Sequence, residues 1–358
     1  MSKVPKVFIL GAGSMGCLVG HELTQAFGNQ VNPVLLFRNQ AVVDLYNSQG
    51  SEISIVKSKN SNITTTKTHI EAACKPPNHN GSKVTIDNLI LSTKTYQSIA
   101  ALENYIPHLT KDSNILILQN GMGVAPLLTE KFWPSGWNRP NIFQAVATHG
   151  AYKTALNVIH FAAPGKMSIS YIPKPTDKKD TEVVIPDFID QILQTPSLNT
   201  TYEKYENFLL IQMEKLVVNA TINPITALLD CFNGDLLYAD RISALSKRII
   251  KEAVNCFFAE YKILATIPDA HAYLSPDRLL DVVLTMCKTT AQNSSSMRED
   301  VRHLNDTEID YINGYIVKLG KKHDLSVTTN MNIVDLVKNK LAIDRAVERQ
   351  AAKLVIKP

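Results

Sequence analysis

Paired cysteines are missing from this sequence. The five cysteines are dispersed and odd in number, and no two of them form a C-x-x-C pair: Cys17, Cys74, Cys231, Cys256 and Cys287. Such a set argues against a disulfide framework and against a zinc site, and it favours a reducing compartment. No metal site is predicted.

Long hydrophobic runs and a strong charge of either sign are absent as well. No apolar run approaches the roughly 20 residues that cross a bilayer. Because the first strand-like segment begins at Lys6, we expect no signal peptide. The net charge is only +4, and lysine and arginine are scattered along the chain, which suits an anionic small ligand better than a nucleic acid. We therefore expect a cytoplasmic protein with neither a membrane nor a nucleic-acid partner.

A glycine-rich turn follows the first buried strand, Lys6–Leu10. A strand, a G-x-G-x-x-G turn and a helical pattern in that order are typical of a dinucleotide-binding fingerprint. The first glycine allows the tight turn, the second lets backbone N–H groups approach a pyrophosphate, and the third lets the helix pack closely. The alternative is a glycine-rich turn without a ligand. The turn consists of Gly11, Ala12, Gly13, Ser14, Met15 and Gly16.

The second strand, Val34–Phe37, is followed by Arg38. NAD-binding folds usually carry Asp or Glu at this point, where it holds the ribose 2′-hydroxyl. A guanidinium can instead pair with a 2′-phosphate through two hydrogen bonds. The sequence thus favours NADP(H) over NAD(H), the alternative being an ordinary exposed arginine.

Three later strands also end in polar or glycine-rich segments. Ligands of doubly wound sheets lie beyond the carboxyl ends of the strands, so several such ends indicate a site better than one does. For His149 alone, a structural histidine is the favoured interpretation. The segments are Lys94 to Gln97 after strand Asp87–Thr93, Gln119 to Gly123 with Asn120 after Ile115–Leu118, and Thr148 to Gly150 after Asn141–Ala147.

The chain is long enough for about two domains. The predicted fold class is α/β, with an N-terminal Rossmann-type dinucleotide-binding domain followed by an all-helical C-terminal domain. We place the boundary near Glu206, which gives domains over residues 1–205 and 206–358. Other expected elements are a strand pair near Glu52–Val56 and Ile63–Thr66, a surface loop at Cys74–Lys83, a helix at Val184–Leu193 and a strand at Thr200–Tyr205.

The segment Lys215–Leu229 opens the helical half. Lys215 and Asn219 are four residues apart and Asn223 lies one turn further, so a helix places all three on one face. Pro224 is expected to end or kink this helix, because proline has no N–H to donate. The alternative is a lysine that snorkels from an amphipathic helix with two asparagines at its edge.

Helix-start patterns appear further along. Ser275-Pro276 predicts an N-cap followed by proline at the first position. Ser296 to Glu299 matches a capping box, which is a structural explanation for Ser296. Asp306 to Glu308 is expected to begin the helix that ends near Gly320. Glu308 could accordingly be a solvated helix-start carboxylate or a functional one.

Together these segments resemble the ketopantoate reductase (2-dehydropantoate 2-reductase) family, in the right order over essentially the whole chain. The helical motifs are far more specific than the glycine turn. The matching stretches are GAGSMG at Gly11–Gly16, Arg38, K-x-x-Q at Lys94–Gln97, QNGMG at Gln119–Gly123, THGA at Thr148–Ala151, KLVVNATINPITAL at Lys215–Leu228, NG at Asn233–Gly234, and N-x-x-SM with the following D and TEIDYINGYIV at Asn293–Val317.

The resemblance implies reduction of a 2-oxo acid, ketopantoate, to pantoate by NADPH, on the way to pantothenate and coenzyme A. It implies that Lys215 is the general acid and that Glu308 acts beside it. It also implies substrate contacts and cofactor contacts, with Asn120 in both sets. The substrate set is Asn120, Asn219, Asn223, Asn293 and Ser296, and the cofactor set is Arg38, Lys94, Gln97 and Asn120 with the glycine turn.

Two alternatives stay open at this point. One is a different NADP-dependent 2-oxo acid or opine-type dehydrogenase, because function resides in the site and not in the fold. The other is a non-catalytic NADPH-binding sensor, against which the retained lysine and glutamate argue. The loops at 71–86 and 132–141 are longer than in a compact bacterial-type member. The resemblance therefore does not determine how these loops affect substrate access. A monomer or a homodimer is expected.

Overall fold

The computed structural model of the protein describes residues 4–59, 62–177 and 183–355. The chain divides into two compact units. The first contains the residues up to Gln119 together with Val124–Phe208, and the second contains Asn120–Gly123 together with the residues from Leu209 onward. This division lies close to the boundary placed at residues 205 and 206. The roles expected for the two parts stay predictions.

The described strands all lie in the first unit. They are β1 (Lys6–Leu10), β2 (Asn32–Leu36), β3 (Glu52–Lys59), β4 (Asn62–His69), β5 (Glu71–Ala73), β6 (Asn78–His79), β7 (Ser82–Lys83), β8 (Asn88–Leu91), β9 (Asn114–Ile117), β10 (Asn141–Ala147), β11 (Gly150–Ala155), β12 (Val158–Ala163), β13 (Met167–Ile172) and β14 (Thr200–Tyr202).

The helices occur in both units. They are α1 (Ser14–Phe27), α2 (Gln40–Ser48), α3 (Ser98–Glu103), α4 (Val124–Phe132), α5 (Asp187–Gln194), α6 (Tyr205–Leu229), α7 (Ile242–Glu260), α8 (Ala270–Tyr273), α9 (Pro276–Thr289), α10 (Ser296–Arg302), α11 (Asn313–Lys322) and α12 (Thr328–Val355). None of them, over the part of the chain that the structure describes, is long and apolar enough to cross a membrane.

The main sheet has eight strands in the order β14-β13-β10-β9-β8-β1-β2-β5. β1 lies between β2 and β8 and is parallel to both, and the parallel pairing continues from β8 through β9 to β10. The apolar run that forms β1 is buried because neighbouring strands and helices cover both of its faces. The predicted Rossmann-type sheet followed by helices is confirmed.

A second sheet, with the order β11-β12-β3-β4, was not predicted. Its β3 and β4 are the strand pair expected near residues 52–66, joined in antiparallel register. Helix α1 contacts all four strands of this sheet as well as β1 and β2 of the main sheet. The helix after the glycine turn is therefore covered on two sides, and Cys17, Leu18, Val19 and Leu23 are fully buried.

The expectation that Pro224 ends or kinks its helix is wrong in its first part. The helix does not end there but continues to Leu229 with the proline inside it. Proline cannot donate to the carbonyl four residues earlier, which would leave the Ala220 oxygen without its helical bond. The side chain of Asn313, which is fully buried, donates to that oxygen from Nδ2 at 2.9 Å. A partner from α11 thus replaces the lost backbone bond.

Several predicted boundaries shift. The expected loop at 74–83 contains the short hairpin β6–β7, the helix expected at 184–193 is α5, and the strand expected at 200–205 ends at Tyr202. The N-cap of α10 is Ser295, whose hydroxyl accepts from the Arg298 N–H at 3.1 Å, so the capping box drawn from Ser296 is wrong. The helix expected at Asp306–Glu308 begins only at Asn313. Ser275 caps α9 as predicted.

Candidate active site

The glycine turn between β1 and α1 combines two packing requirements with one open position. A Cβ on Gly11, which has φ +114°, would lie 2.5 Å from the backbone nitrogen of Thr93. A Cβ on Gly16 would lie 2.3 Å from the Gly11 oxygen. A Cβ on Gly13 would meet nothing nearer than the Ser92 oxygen at 4.0 Å. Packing therefore explains two of the glycines, while Gly13 leaves the backbone open to an approaching ligand.

Arg38 and Lys94 follow the two strands that flank β1. Arg38 is exposed between β2 and α2, and the next residue, Asn39, caps α2 by accepting from the Val42 N–H at 3.0 Å. Lys94 is partly buried and precedes the helical turn Thr95–Gln97. Because the carboxyl ends of parallel neighbours meet at one edge of a sheet, these cations lie at the same edge as the glycine turn.

Gln119 and His149, at two other strand ends, have structural roles. The Gln119 carboxamide donates to the Thr93 carbonyl at 2.7 Å and so ties the ends of β8 and β9 together. His149 accepts from the Gly165 N–H at Nδ1, at 2.8 Å, which leaves Nε2–H to donate to the Leu198 carbonyl at 2.9 Å. Both ring nitrogens are thereby used in holding loops.

The second unit brings Lys215 and Glu308 into electrostatic contact. Lys215 lies on α6 in a half-buried position, and Glu308 is only 6% exposed. Burial lowers the pKa of Lys215 to about 8, and the negative charge of Glu308 opposes that shift. An ammonium with a lowered pKa beside a carboxylate is an arrangement suited to proton transfer.

A short turn carries Asn120 to the same place. The Asn120 carboxamide donates to Glu308 Oε2 at 3.4 Å. The next residue, Gly121, has φ +83°, and a Cβ there would lie 2.4 Å from the Tyr311 oxygen, so only glycine fits this close approach. The Met122 N–H donates to the same Tyr311 oxygen at 3.1 Å. Asn120, expected in both the cofactor and the substrate sets, thus lies beside the predicted catalytic carboxylate.

Asn219 and Asn223 follow Lys215 along α6. Asn219 is half-buried and Asn223 is 8% exposed. Neither carboxamide makes a hydrogen bond to another residue that the structure describes. Buried carboxamides normally find partners, so these two groups are suited to a polar ligand.

The segment with Asn293 and Ser296 is attached to the end of α6. The Thr226 hydroxyl donates to the Ser295 hydroxyl at 2.7 Å, which links α6 to the N-cap of α10. Ser296 is then the exposed first residue of α10, and its hydroxyl is not the cap. The carbonyl of Asn293 accepts from the Asn233 N–H at 3.1 Å. Ser296 therefore has no capping role.

Asn233, which the sequence indicates only as part of the NG motif, is a further candidate. Its side chain donates to the Thr290 hydroxyl at 2.9 Å, while Oδ1 is buried without a partner among the described residues. The following Gly234 has no room for a Cβ, which would lie 2.5 Å from the Ala291 Cβ. Only the tertiary structure reveals the unpaired oxygen, because no sequence pattern distinguishes it.

A parallel sheet with a dinucleotide fingerprint, followed by a helical unit with a lysine and a carboxylate in electrostatic contact, defines a Rossmann-type oxidoreductase. Comparison with family models narrows this class. Residues 7–174 match the model described as "Ketopantoate reductase PanE/ApbA", and residues 207–341 match "Ketopantoate reductase PanE/ApbA C terminal". The chain belongs to the ketopantoate reductase family.

Individual relatives agree with this membership. The chain is 36% identical over 343 residues to a probable 2-dehydropantoate 2-reductase of Schizosaccharomyces pombe, covering 95% of this chain and 97% of the relative. It is 32% identical to the 2-dehydropantoate 2-reductase of Saccharomyces cerevisiae, covering 95% of each. A solved D-mandelate dehydrogenase, in ternary complex with NADH and anilino(oxo)acetate, shares the fold with a TM-score of 0.74 at 21% identity, over 94% of this chain and 98% of that one.

Proposed function

We propose that this protein is a 2-dehydropantoate 2-reductase, which reduces 2-dehydropantoate to pantoate with NADPH. Family membership and relatives with this name at 36% and 32% identity support the reaction. The single structural observation that carries the mechanism is the electrostatic pairing of Lys215 with Glu308, with the pKa of Lys215 lowered to about 8. A cytoplasmic setting is part of the proposal, supported by five free cysteines.

The cofactor proposal assigns a nicotinamide dinucleotide to the first unit, where it supplies the hydride for the carbonyl carbon. The glycine turn fits the pyrophosphate, because Gly13 leaves the backbone open at the N-terminus of α1. Arg38, at the end of β2, would bind a 2′-phosphate and so select NADP(H). Lys94, Gln97 and the backbone of the turn complete the proposed cofactor contacts.

The proton step is assigned to the second unit. When hydride reaches C2 of a 2-oxo acid, the carbonyl oxygen gains the electron pair of its π bond and needs a proton. Lys215 Nζ would donate that proton and become neutral, which its lowered pKa favours. Glu308, held by Asn120, would keep the ammonium protonated and oriented before the transfer.

Substrate recognition is assigned to carboxamides and a hydroxyl near Lys215. Asn219 and Asn223 offer both donors and acceptors, which suit the carboxylate and the terminal hydroxyl of 2-dehydropantoate. Asn293 and Ser296 lie on the segment attached to the same helix end and are the remaining proposed contacts.

The deciding experiment is a steady-state assay of NADPH oxidation with a panel of 2-oxo acids. The panel should include 3,3-dimethyl-2-oxobutanoate, which lacks only the terminal hydroxyl of 2-dehydropantoate. We expect 2-dehydropantoate to have the highest kcat/KM, and the analogue to be about 10- to 100-fold poorer because one hydrogen-bonded group is lost. The same assay is repeated with NADH in place of NADPH, and again with primary amines added.

Other results of this assay would identify a different function. A preference for another 2-oxo acid, or a requirement for an amine, would identify a related or opine-type dehydrogenase. Tight NADPH binding without turnover of any member of the panel would identify a sensor. Because the assay uses the wild-type protein, it identifies the substrate whatever the role of any single residue.

A further inference from the structure

Lys153 reaches the glycine turn from the second sheet. Side chains alternate along β11, so Tyr152 is exposed while Ala151 and Lys153 share the other face. Ala151 packs against the apolar core that includes α1. Lys153 extends further and donates from Nζ to the carbonyl oxygen of Ala12 at 2.8 Å. Burial raises the pKa of the Cys17 thiol, in the first turn of α1, to about 11. The charge of Lys153 acts on the same thiol in the opposite direction.

This location is electrostatically unusual for a cation. The N-terminus of a helix carries a partial positive charge of its own, so an ammonium there adds to the same sign. The first turn of α1 contains no acidic residue, and no carboxylate of the described residues forms an ion pair with Lys153. An ammonium has three donors, of which only the bond to Ala12 is made within the described part of the chain. The turn thus concentrates positive potential that an anion would neutralise.

We propose that Lys153 is a further cofactor-binding residue, which supplies positive charge to the pyrophosphate of the dinucleotide at the glycine turn. This inference rests on the proposed function, because the anion is taken to be that of NADPH. The pyrophosphate is common to NADPH and NADH, whereas the 2′-phosphate belongs to NADPH alone. Lys153 therefore contributes equally to the affinity for both cofactors, while Arg38 discriminates between them.

The test compares dissociation constants of the full-length protein by titration. Lys153→Met should weaken NADPH and NADH by the same factor, about 10- to 100-fold, because one charge-assisted contact is lost. The affinity for 2′-AMP, which has no pyrophosphate, should not change. The dependence of the NADPH Kd on salt concentration should become shallower, since one ionic contact is removed.

Two further variants distinguish an effect of the Lys153 charge on the cofactor from an effect of its hydrogen bond on the glycine turn. Lys153→Arg keeps the charge and should restore most of the affinity. Lys67→Met removes an exposed lysine from β4 of the same sheet and should leave all three dissociation constants unchanged. A loss in Lys153→Met that Lys153→Arg does not restore, with an unchanged salt dependence and a lowered Tm, would show that Lys153 only supports the turn and would overturn the proposal.

Cofactor binding by the wild type and by Lys153→Met distinguishes failure of the proposed function from failure of the Lys153 assignment. If the wild-type protein binds neither NADPH nor NADH, the proposed function falls, and this inference falls with it. If the wild type binds both cofactors and Lys153→Met binds them equally well, only the assignment of Lys153 falls. A loss confined to NADPH would also overturn it, because the pyrophosphate would then not be the group that Lys153 contacts.

Discussion

Lys215 is subject to two opposing influences. In water a lysine is a weak acid that holds its proton too firmly for rapid transfer near neutral pH. Burial lowers its pKa to about 8, while the negative charge of Glu308 acts in the other direction. With this pKa the side chain is mostly protonated at neutral pH, yet it releases its proton more readily than a surface lysine does. This balance is the property that a general acid requires.

Replacing Lys215 tests this role directly. Lys215→Met should lower kcat/KM for 2-dehydropantoate by about 10²- to 10⁴-fold, which is the usual contribution of a general acid. The Kd for NADPH should not change. The double variant with Glu308→Gln also removes the negative charge that faced Lys215, and it should be equally inactive. Lys251→Met, at an exposed position of α7, is the matched control. Activity within threefold of wild type would refute the role.

The pH profile should report the same group. In the proposed mechanism the protonated form of Lys215 is the donor, so kcat/KM for reduction should fall as pH rises through about 8. In Glu308→Gln the carboxylate no longer raises the pKa, so the fall should begin at lower pH. Initial rates measured from neutral to alkaline pH would show both inflections. An inflection that does not move in Glu308→Gln would mean that another group titrates.

Arg38 should determine the choice of cofactor. Arg38→Asp replaces a cation at the end of β2 by the acid that NAD-type sites carry there. NADPH binding should weaken by about 2–3 kcal/mol through loss of a charge-assisted contact. NADH binding should change little or improve. Equal losses for the two cofactors, measured by titration, would contradict the assignment of Arg38 to the 2′-phosphate.

At the scale of single elements, α6 shows how a helix can pass through a proline. The carbonyl released by Pro224 is bound by Asn313, whose Nδ2 also lies 3.0 Å from Asn330 Oδ1 on α12. Asn330 in turn donates to the Glu252 carboxylate of α7 at 2.7 Å. This buried chain of polar groups ties three helices to the point where α6 would otherwise have an unpaired carbonyl.

Removing Asn313 should therefore destabilise the second unit. Asn313→Ala leaves a buried carbonyl unpaired, and we expect the free energy of unfolding to fall by about 1–3 kcal/mol. Asn332→Ala, at an exposed position of α12, should stay within about 0.5 kcal/mol of wild type. Urea unfolding measures both values. If the two variants had the same free energy of unfolding, the hydrogen bond from Asn313 to the Ala220 carbonyl would not contribute to stability.

At the scale of the whole molecule, a polar cluster in the first unit makes stability depend on pH. Burial alone would raise the pKa of Glu22, but hydrogen bonds from His21, Ser197 and Lys57, together with the Lys57 charge, lower it to about 2. A carboxyl whose pKa is lower in the folded state stabilises the fold above its unfolded value of about 4.5. That contribution is lost as pH falls from there towards 2.

Acid unfolding should reveal this contribution. In wild type, the free energy of unfolding should decrease by about 3 kcal/mol through this group as pH drops below about 4.5. Glu22→Gln should be less stable at neutral pH and should show a flatter acid limb. Glu103→Gln, at an exposed position of α3, should follow the wild-type curve. Parallel curves for wild type and Glu22→Gln would exclude the cluster as the cause.

Local patterns in the sequence were sufficient for the main features of the fold. The run Lys6–Leu10 and the glycines after it predicted strand, turn and helix, because burial on both strand faces and close backbone approach require those residue types. The spacing of Lys215, Asn219 and Asn223 similarly predicted a shared helical face. These features depend on neighbours within a few positions, which a sequence displays directly.

Other features were decided only by tertiary contacts. Nothing near Pro224 indicates that a side chain about 90 residues later would bind the freed carbonyl and let the helix continue. The docking of Asn120 against Glu308 depends on a glycine that fits under Tyr311, and the contact of Lys153 with the glycine turn depends on a sheet that was not foreseen. Such long-range contacts arise from the packing of whole elements. The sequence by itself thus determined the elements and the candidate residues, and the tertiary structure decided which of these residues meet.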